Sequence, residues 1–144
     1  MKYTEIDLQI EDIMWFGIDR NGIVFEATSG GCANVPAFVI ESKEETEALK
    51  DYFLNLPEGK SDSVFLEELD PNYPAYSDCL SLTKNGIICF DMSDEDENAY
   101  KKIAISKKPM KIETLPDNIQ QILISHKIDI DVLASKILTV EHGY

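Results

Sequence analysis

At 144 residues the chain has the size of one domain, spanning 1–144, and its 44% hydrophobic and 28% charged content excludes a disordered or fibrous protein. A formal net charge of −14 argues against nucleic acid and anionic membranes as partners, because phosphate binding rests on Lys and Arg displacing counterions. No stretch reaches the ~18 apolar residues of a membrane span, the acidic start Glu5-Ile6-Asp7 lacks the apolar run of a secretory signal, and the three cysteines without a CxxC pair suggest neither a disulfide framework nor a zinc knuckle. The cytoplasm is the expected compartment.

In chain order, the first strong signal is Asn21-Gly22, whose residues supply the positive φ angles of a two-residue type I′ turn and so predict a β-hairpin. Pairing Arg20 with Ile23 puts Phe16, Ile18, Phe25 and Ala27 on one face, and Gly17, Asp19, Val24 and Glu26 on a wet one. Trp15 then stands opposite Thr28 on the wet side, where either another element covers it or a partner uses it. Ser29-Gly30-Gly31 fits neither a P-loop nor a dinucleotide fingerprint, and reads as a sharp turn off the strand.

Ser42-Lys43-Glu44-Glu45 matches a capping box, and Ala48, Leu49, Tyr52, Phe53 and Leu56 follow at helical spacing up to Pro57. This predicts a helix over 43–56. Residues 70–78, with Pro71, Tyr73, Pro74 and Tyr76, read as irregular. A second hairpin is expected at Asn85-Gly86, with Leu80, Leu82, Ile87 and Cys89 on one side and Ile88, Phe90 and Met92 on the other. Buried on both faces, it would be central, and Cys79 and Cys89 would face opposite ways, beyond disulfide reach.

After the acidic loop 93–98, the stretch Tyr100 to Ser106 predicts a strand with Ile103 and Ile105 on one face, and Pro116-Asp117 opens a short helix carrying Ile119, Ile122 and Leu123. The tail fits a helix over 131–138 or a strand over 136–140. The fold class is α+β: an antiparallel sheet built from two Asn-Gly hairpins plus a further strand, with two or three helices packed on one side.

Chemistry is sparse. His126 and His142 have no neighbour at metal-ligand or triad spacing, Cys79 and Cys89 read as small hydrophobes, and Cys32 is the thiol expected at the surface. The run from Asp91 to Glu97 has no glycine, so it is not a calcium loop. No catalytic residue, metal site or cofactor is assigned.

The acidity is uneven: residues 1–98 hold 22 acids and 6 bases, while 99–144 hold 5 acids and 7 bases. That asymmetry steers a protein with a basic surface toward the first part. The expected function is a non-catalytic protein-interaction domain whose interface draws on Trp15, Asp70, Tyr73, Tyr76, Asp78, Asp94, Glu95, Asp96 and Glu97. Two alternatives stand beside it: a small-molecule or metal-binding domain or hydrolase with a pocket of acids, and a structural module that forms homo-oligomers.

The segments Asp12 to Asp19, Asn21-Gly22-Ile23, Phe25, Ser29-Gly30-Gly31 and Val35-Pro36 resemble the opening of a group of small uncharacterised bacterial proteins, some of which look like immunity proteins accompanying contact-delivered or polymorphic toxins. The resemblance covers the first third of the chain. It implies a toxin-neutralising, non-catalytic partner of another protein, and it brings no active-site residues with it.

Overall fold

A computed structural model describes residues 1–66, 70 and 72–141; Pro71 and His142 lie outside the described residues. The fold is α+β, with helices α1 (Glu5–Ile10), α2 (Ala37–Ile40), α3 (Lys43–Leu54), α4 (Ser77–Lys84) and α5 (Asp117–Ile124) around a sheet of strands β1 (Met14–Ile18), β2 (Val24–Thr28), β3 (Ser63–Phe65), β4 (Ile88–Met92), β5 (Ala99–Ser106) and β6 (Ile137–Thr139). The strand order is β1-β2-β4-β5-β3, and β6 shares the outer edge of β5 with β3. Because β2 and β4 run parallel while every other pair is antiparallel, the sheet is mixed rather than purely antiparallel. Among the described residues no helix is long and apolar enough to cross a membrane.

Side chains alternate between the two faces of this sheet, and both faces are covered. One face carries Trp15, Phe25, Ala27, Ile88, Phe90 and Tyr100, closed over by Tyr3, Val35, Val39, Val132 and Leu138. The opposite face carries Phe16, Ile18, Val24 and Cys89, covered by Leu49 and Phe53 of α3, Leu82 of α4, and Ile119 and Leu123 of α5. Helices therefore pack on both sides, not on one. A register shift where β5 passes Cys89 and Phe90 inserts an extra residue, so Ile103 and Ala104 fall on the same side while Ile105 joins the other.

The first strand pair is displaced by one residue from its expected register. Trp15 opposes Ala27 and Ile18 opposes Val24, so Asp19 meets Ile23 and the connection is the three-residue loop Arg20-Asn21-Gly22 instead of two residues. Asp19 causes this. Its buried carboxylate accepts the amides of Asn21 and Ile23 through Oδ1 and that of Val132 through Oδ2, while its backbone amide donates to the Ile23 carbonyl. Gly22, at φ 79°, supplies the left-handed residue that ends such a three-residue loop. A one-residue shift exchanges the faces of a strand, so Val24 and Glu26 lie with Phe16 and Ile18, and the expected wet face does not exist.

The second hairpin is replaced by a helix. Ser77–Lys84 is α4, and Asn85-Gly86 is its C-terminal cap: Gly86 N donates to the Thr83 carbonyl and Ile87 N to the Leu82 carbonyl, with Gly86 at φ 101°. Both bonds belong to the Schellman arrangement, which needs the same positive-φ residue as a type I′ turn. Cys79 and Cys89 consequently belong to one cluster, not to opposite faces, and both are free thiols.

Elsewhere the local signals hold with shifted ends. The helix expected over 43–56 runs over Lys43–Leu54, with the Ser42 hydroxyl accepting the Glu45 amide, and β5 and α5 form where expected. In the tail the strand reading prevails at Ile137–Thr139. Lys102, buried opposite that segment, donates from Nζ to the Val132 and Leu133 carbonyls.

A candidate acidic interface

The parallel strands β2 and β4 end side by side, with Thr28 level with Asp91. From this end of the sheet several acids emerge together. Asp12, in the segment entering β1, reaches across to accept the Gly30 amide, which uses one of the Ser29-Gly30-Gly31 amides inside the chain. Asp91 is the penultimate residue of β4, and Asp12 and Asp94 are the charges that act on it. Beyond it, the loop 93–98 is held by its own backbone: Glu95 N donates to Ser93 Oγ, Asn98 N to Asp96 Oδ1, and Asn34 N to the Glu97 carbonyl. The four side chains Asp94, Glu95, Asp96 and Glu97 project into solvent from this pinned backbone.

The aromatic part of the expected interface arrives through the turn Pro74–Tyr76 that leads into α4. Tyr73 is 57% exposed and its ring lies 5.6 Å from that of Tyr76, which rests in turn beside Phe65. Asp70 accepts the Asn72 amide and sits at the start of this segment. Tyr76 and Asp78 reach the acids: with Asp12, Glu26, Thr28 and Asp91 they line a cleft of about 220 Å³.

Trp15 is not part of this surface. It is 0% exposed, its ring packs edge-on against Phe25, Phe38 and Tyr100, and Nε1 donates to the Tyr100 hydroxyl. The one-residue register shift turns it to the face that α2 and the tail cover, so it anchors the core.

Glu26 and Asp12, which the sequence reading leaves out of the interface, join Asp91 of the acidic run in lining this cleft. Glu26 is 2% exposed, and burial pushes its carboxyl up to about 8, because the charged form loses its hydration. Thr28 Oγ1 donates to its Oε1, and the Cys89 thiol lies against the same carboxyl. Asp91 is also raised, by burial first and then by Asp12 and Asp94, with the Met92 amide opposing. Burial raises the Tyr76 hydroxyl, assisted by Asp91, and raises the Cys89 thiol. The available signal was a Glu between Phe25 and Ala27, a charge in an otherwise apolar strand.

No ion pair among the described residues involves Asp12, Glu26, Asp70, Asp78, Asp91 or Asp94 to Glu97. Lys101 is the cross-strand neighbour of Asp91 and still makes none. The pairs lie elsewhere, as in Lys43 with Asp7 and Glu11, or Lys84 with Glu58.

Two further reactive side chains, His126 and Cys32, lie outside this cleft. His126 is buried; its Nδ1 donates to the Phe16 carbonyl, its ring stacks on Phe38, and Nε2 stands 3.5 Å from Glu45. Burial lowers its proton affinity, opposed by the Phe16 carbonyl and by Glu45. Cys32 is exposed, beside the acidic loop across a shallow depression that Glu97 also lines. Among the described residues no three His, Cys, Asp or Glu side chains are grouped to hold a metal ion. No protein-family profile, curated protein or solved structure matches the chain.

Proposed function

We propose that this protein is a non-catalytic interaction domain that binds a protein through that partner's basic surface, most concretely a toxin-neutralising immunity protein occluding a basic functional site. The observation that carries the reading is that, among the described residues, Asp12, Asp78, Asp91 and Asp94 to Glu97 gather at one end of the sheet without one ion pair, while Glu41, Asp7, Glu58 and Asp62 elsewhere each meet a lysine. Unpaired charges gathered on a pinned loop keep the compact state under self-repulsion, and a cationic partner relieves it. Tyr73 and Tyr76, beside those acids, supply the aromatic area that interfaces favour. The resemblance of the opening third to a group of small uncharacterised bacterial proteins, some of them immunity-protein-like, points the same way.

Capture from a native lysate, with the bound fraction washed at rising salt, tests it. A partner held at low salt should be released as ionic strength grows. It should be captured poorly by a variant carrying Asp94→Asn, Glu95→Gln, Asp96→Asn and Glu97→Gln. No partner at low salt, or capture indifferent to both salt and these substitutions, would overturn the proposal.

A further inference from the structure

We infer that the cleft floored by Glu26 and walled by Asp12, Asp91, Asp78 and Tyr76 receives the guanidinium of one arginine side chain presented by the protein partner. The inference rests on the interaction reading above and gives that interface its specific pocket.

Size comes first. At about 220 Å³ the cleft is smaller than the roughly 300–1,000 Å³ of small-molecule sites, and it suits a single side chain. Charge comes second. Glu26 is almost wholly buried, yet it lines an opening to solvent, and among the described residues its carboxyl is hydrogen-bonded by the Thr28 hydroxyl and the Cys89 thiol alone. A structural buried carboxylate is matched by amides or a cation, as Asp19 is by the amides of Asn21, Ile23 and Val132. Glu26 has no cation opposite it, and the other ionisable groups facing it, Asp91 and Asp12, carry its own sign.

Shape comes third. A guanidinium is planar, is weakly hydrated and offers donors in a fixed fork, so it can meet Glu26 and Asp91 together while its plane lies on the Tyr76 ring. An ammonium, compact and strongly hydrated, has less to gain from a buried floor. Glu26 holds its proton at neutral pH, so binding expels that proton, and affinity rises with pH up to about 8. Asp12, Asp91, Asp78, Tyr76, Cys79 and Cys89 are the other titratable groups around it; among them Asp91 is raised in the same sense.

The test titrates N-acetylargininamide into the isolated chain and follows side-chain NMR signals. Saturable shifts at Thr28, Ile103 and the Glu26 carboxyl are expected, with proton release. The neutral isostere N-acetylcitrullinamide should leave those signals in place, and N-acetyllysinamide should bind more weakly. Glu26→Gln, which mimics the protonated side chain and so should fold, is expected to weaken binding at least about tenfold, since the buried charge opposite the cation is gone. Asp91→Asn should weaken it less. Equal shifts with the citrulline probe, tighter binding of the lysine probe, shifts confined to residues 94–97, or native affinity in both variants would each overturn the inference. A partner captured equally well by Glu26→Gln would remove the pocket while leaving the acidic interface standing. An arginine probe seated in the cleft with no partner captured would do the reverse.

Discussion

The two faces of the sheet use similar apolar strands toward different ends. The face bearing Trp15, Phe25, Phe90 and Tyr100 is sealed along its length by α2 and the tail, and its polar atoms find partners within the chain, as Trp15 Nε1 does at Tyr100 and the Tyr100 hydroxyl does at the Asn34 carbonyl. The opposite face is sealed by α3, α4 and α5 over Phe16, Ile18 and Val24, but toward the ends of β2 and β4 the cover stops and Glu26, Thr28 and Asp91 line an opening. Burial alone does not separate the two. Both Trp15 and Glu26 are almost inaccessible, but Trp15 is enclosed by aromatic rings, whereas Glu26, held by the Thr28 hydroxyl, lines an opening with no cation beside it among the described residues.

The largest expected effect comes from the sealed face. Trp15→Ala removes a ring packed against three aromatic neighbours and should cost about 3–5 kcal/mol, read as a lower midpoint in urea denaturation. A cost near zero would mean that this face is as open as the other. Asp19→Ala, which strands the amides of Ile23 and Val132 in the interior, should cost about 3 kcal/mol in the same assay. It tests whether the β1–β2 connection depends on the tail segment that closes this face.

How much of this arrangement could be read from sequence depends on how local its cause is. The α3 helix was legible because Ser42 and the spacing of Leu49 and Phe53 act within a few residues. The α1 helix was overlooked although Thr4 and Asp7 form a reciprocal capping box there, since Asp in place of Glu or Gln departs from the usual pattern. Asn85-Gly86 misled because a helix cap and a hairpin turn demand the same backbone. Cys79, Leu82 and Thr83, buried at helical spacing, were the local clue that it capped a helix. The exposure of Tyr73, Asp78 and Asp94 to Glu97 was legible in their proline-flanked and acidic surroundings, while Tyr76 is half-buried. The burial of Glu26 was not legible, because its face follows from the register, and the register follows from Asp19, whose carboxylate joins the nearby Asn21 and Ile23 amides to that of Val132, 113 residues away.

The open face should reveal itself through pH. The carboxyl of Glu26 rises from about 4.5 in the unfolded chain to about 8 in the folded one, so the folded state binds the extra proton. Its contribution to stability is fully present below about pH 4.5 and is lost as pH rises to about 8. The slope approaches 1.4 kcal/mol per pH unit, or about 2 kcal/mol between pH 5.5 and 7. His126, lowered by burial, works in the opposite sense below its ordinary value near 6.5. Subtracting the curve of Glu26→Gln from that of the native chain cancels His126 and isolates the carboxyl. A flat difference would mean that Glu26 is hydrated, and that the cleft has no buried floor.

The smallest effect is expected at the acidic loop, and it is the sharpest statement of what the open end is for. Neutralising Asp94, Glu95, Asp96 and Glu97 to their amides keeps the Oδ1 acceptor that holds the Asn98 amide and leaves the backbone bonds of the loop untouched. Stability should therefore stay within about 0.5 kcal/mol, as for other surface substitutions. Any change should be an increase at low salt, because like charges crowd this loop, and the gain should vanish by 1 M salt, where the screening length falls to about 3 Å. Urea midpoints at two ionic strengths decide it. A loss above about 1 kcal/mol would make these carboxylates part of the scaffold, whereas unchanged stability with lost partner capture would separate holding the fold together from recognising the partner.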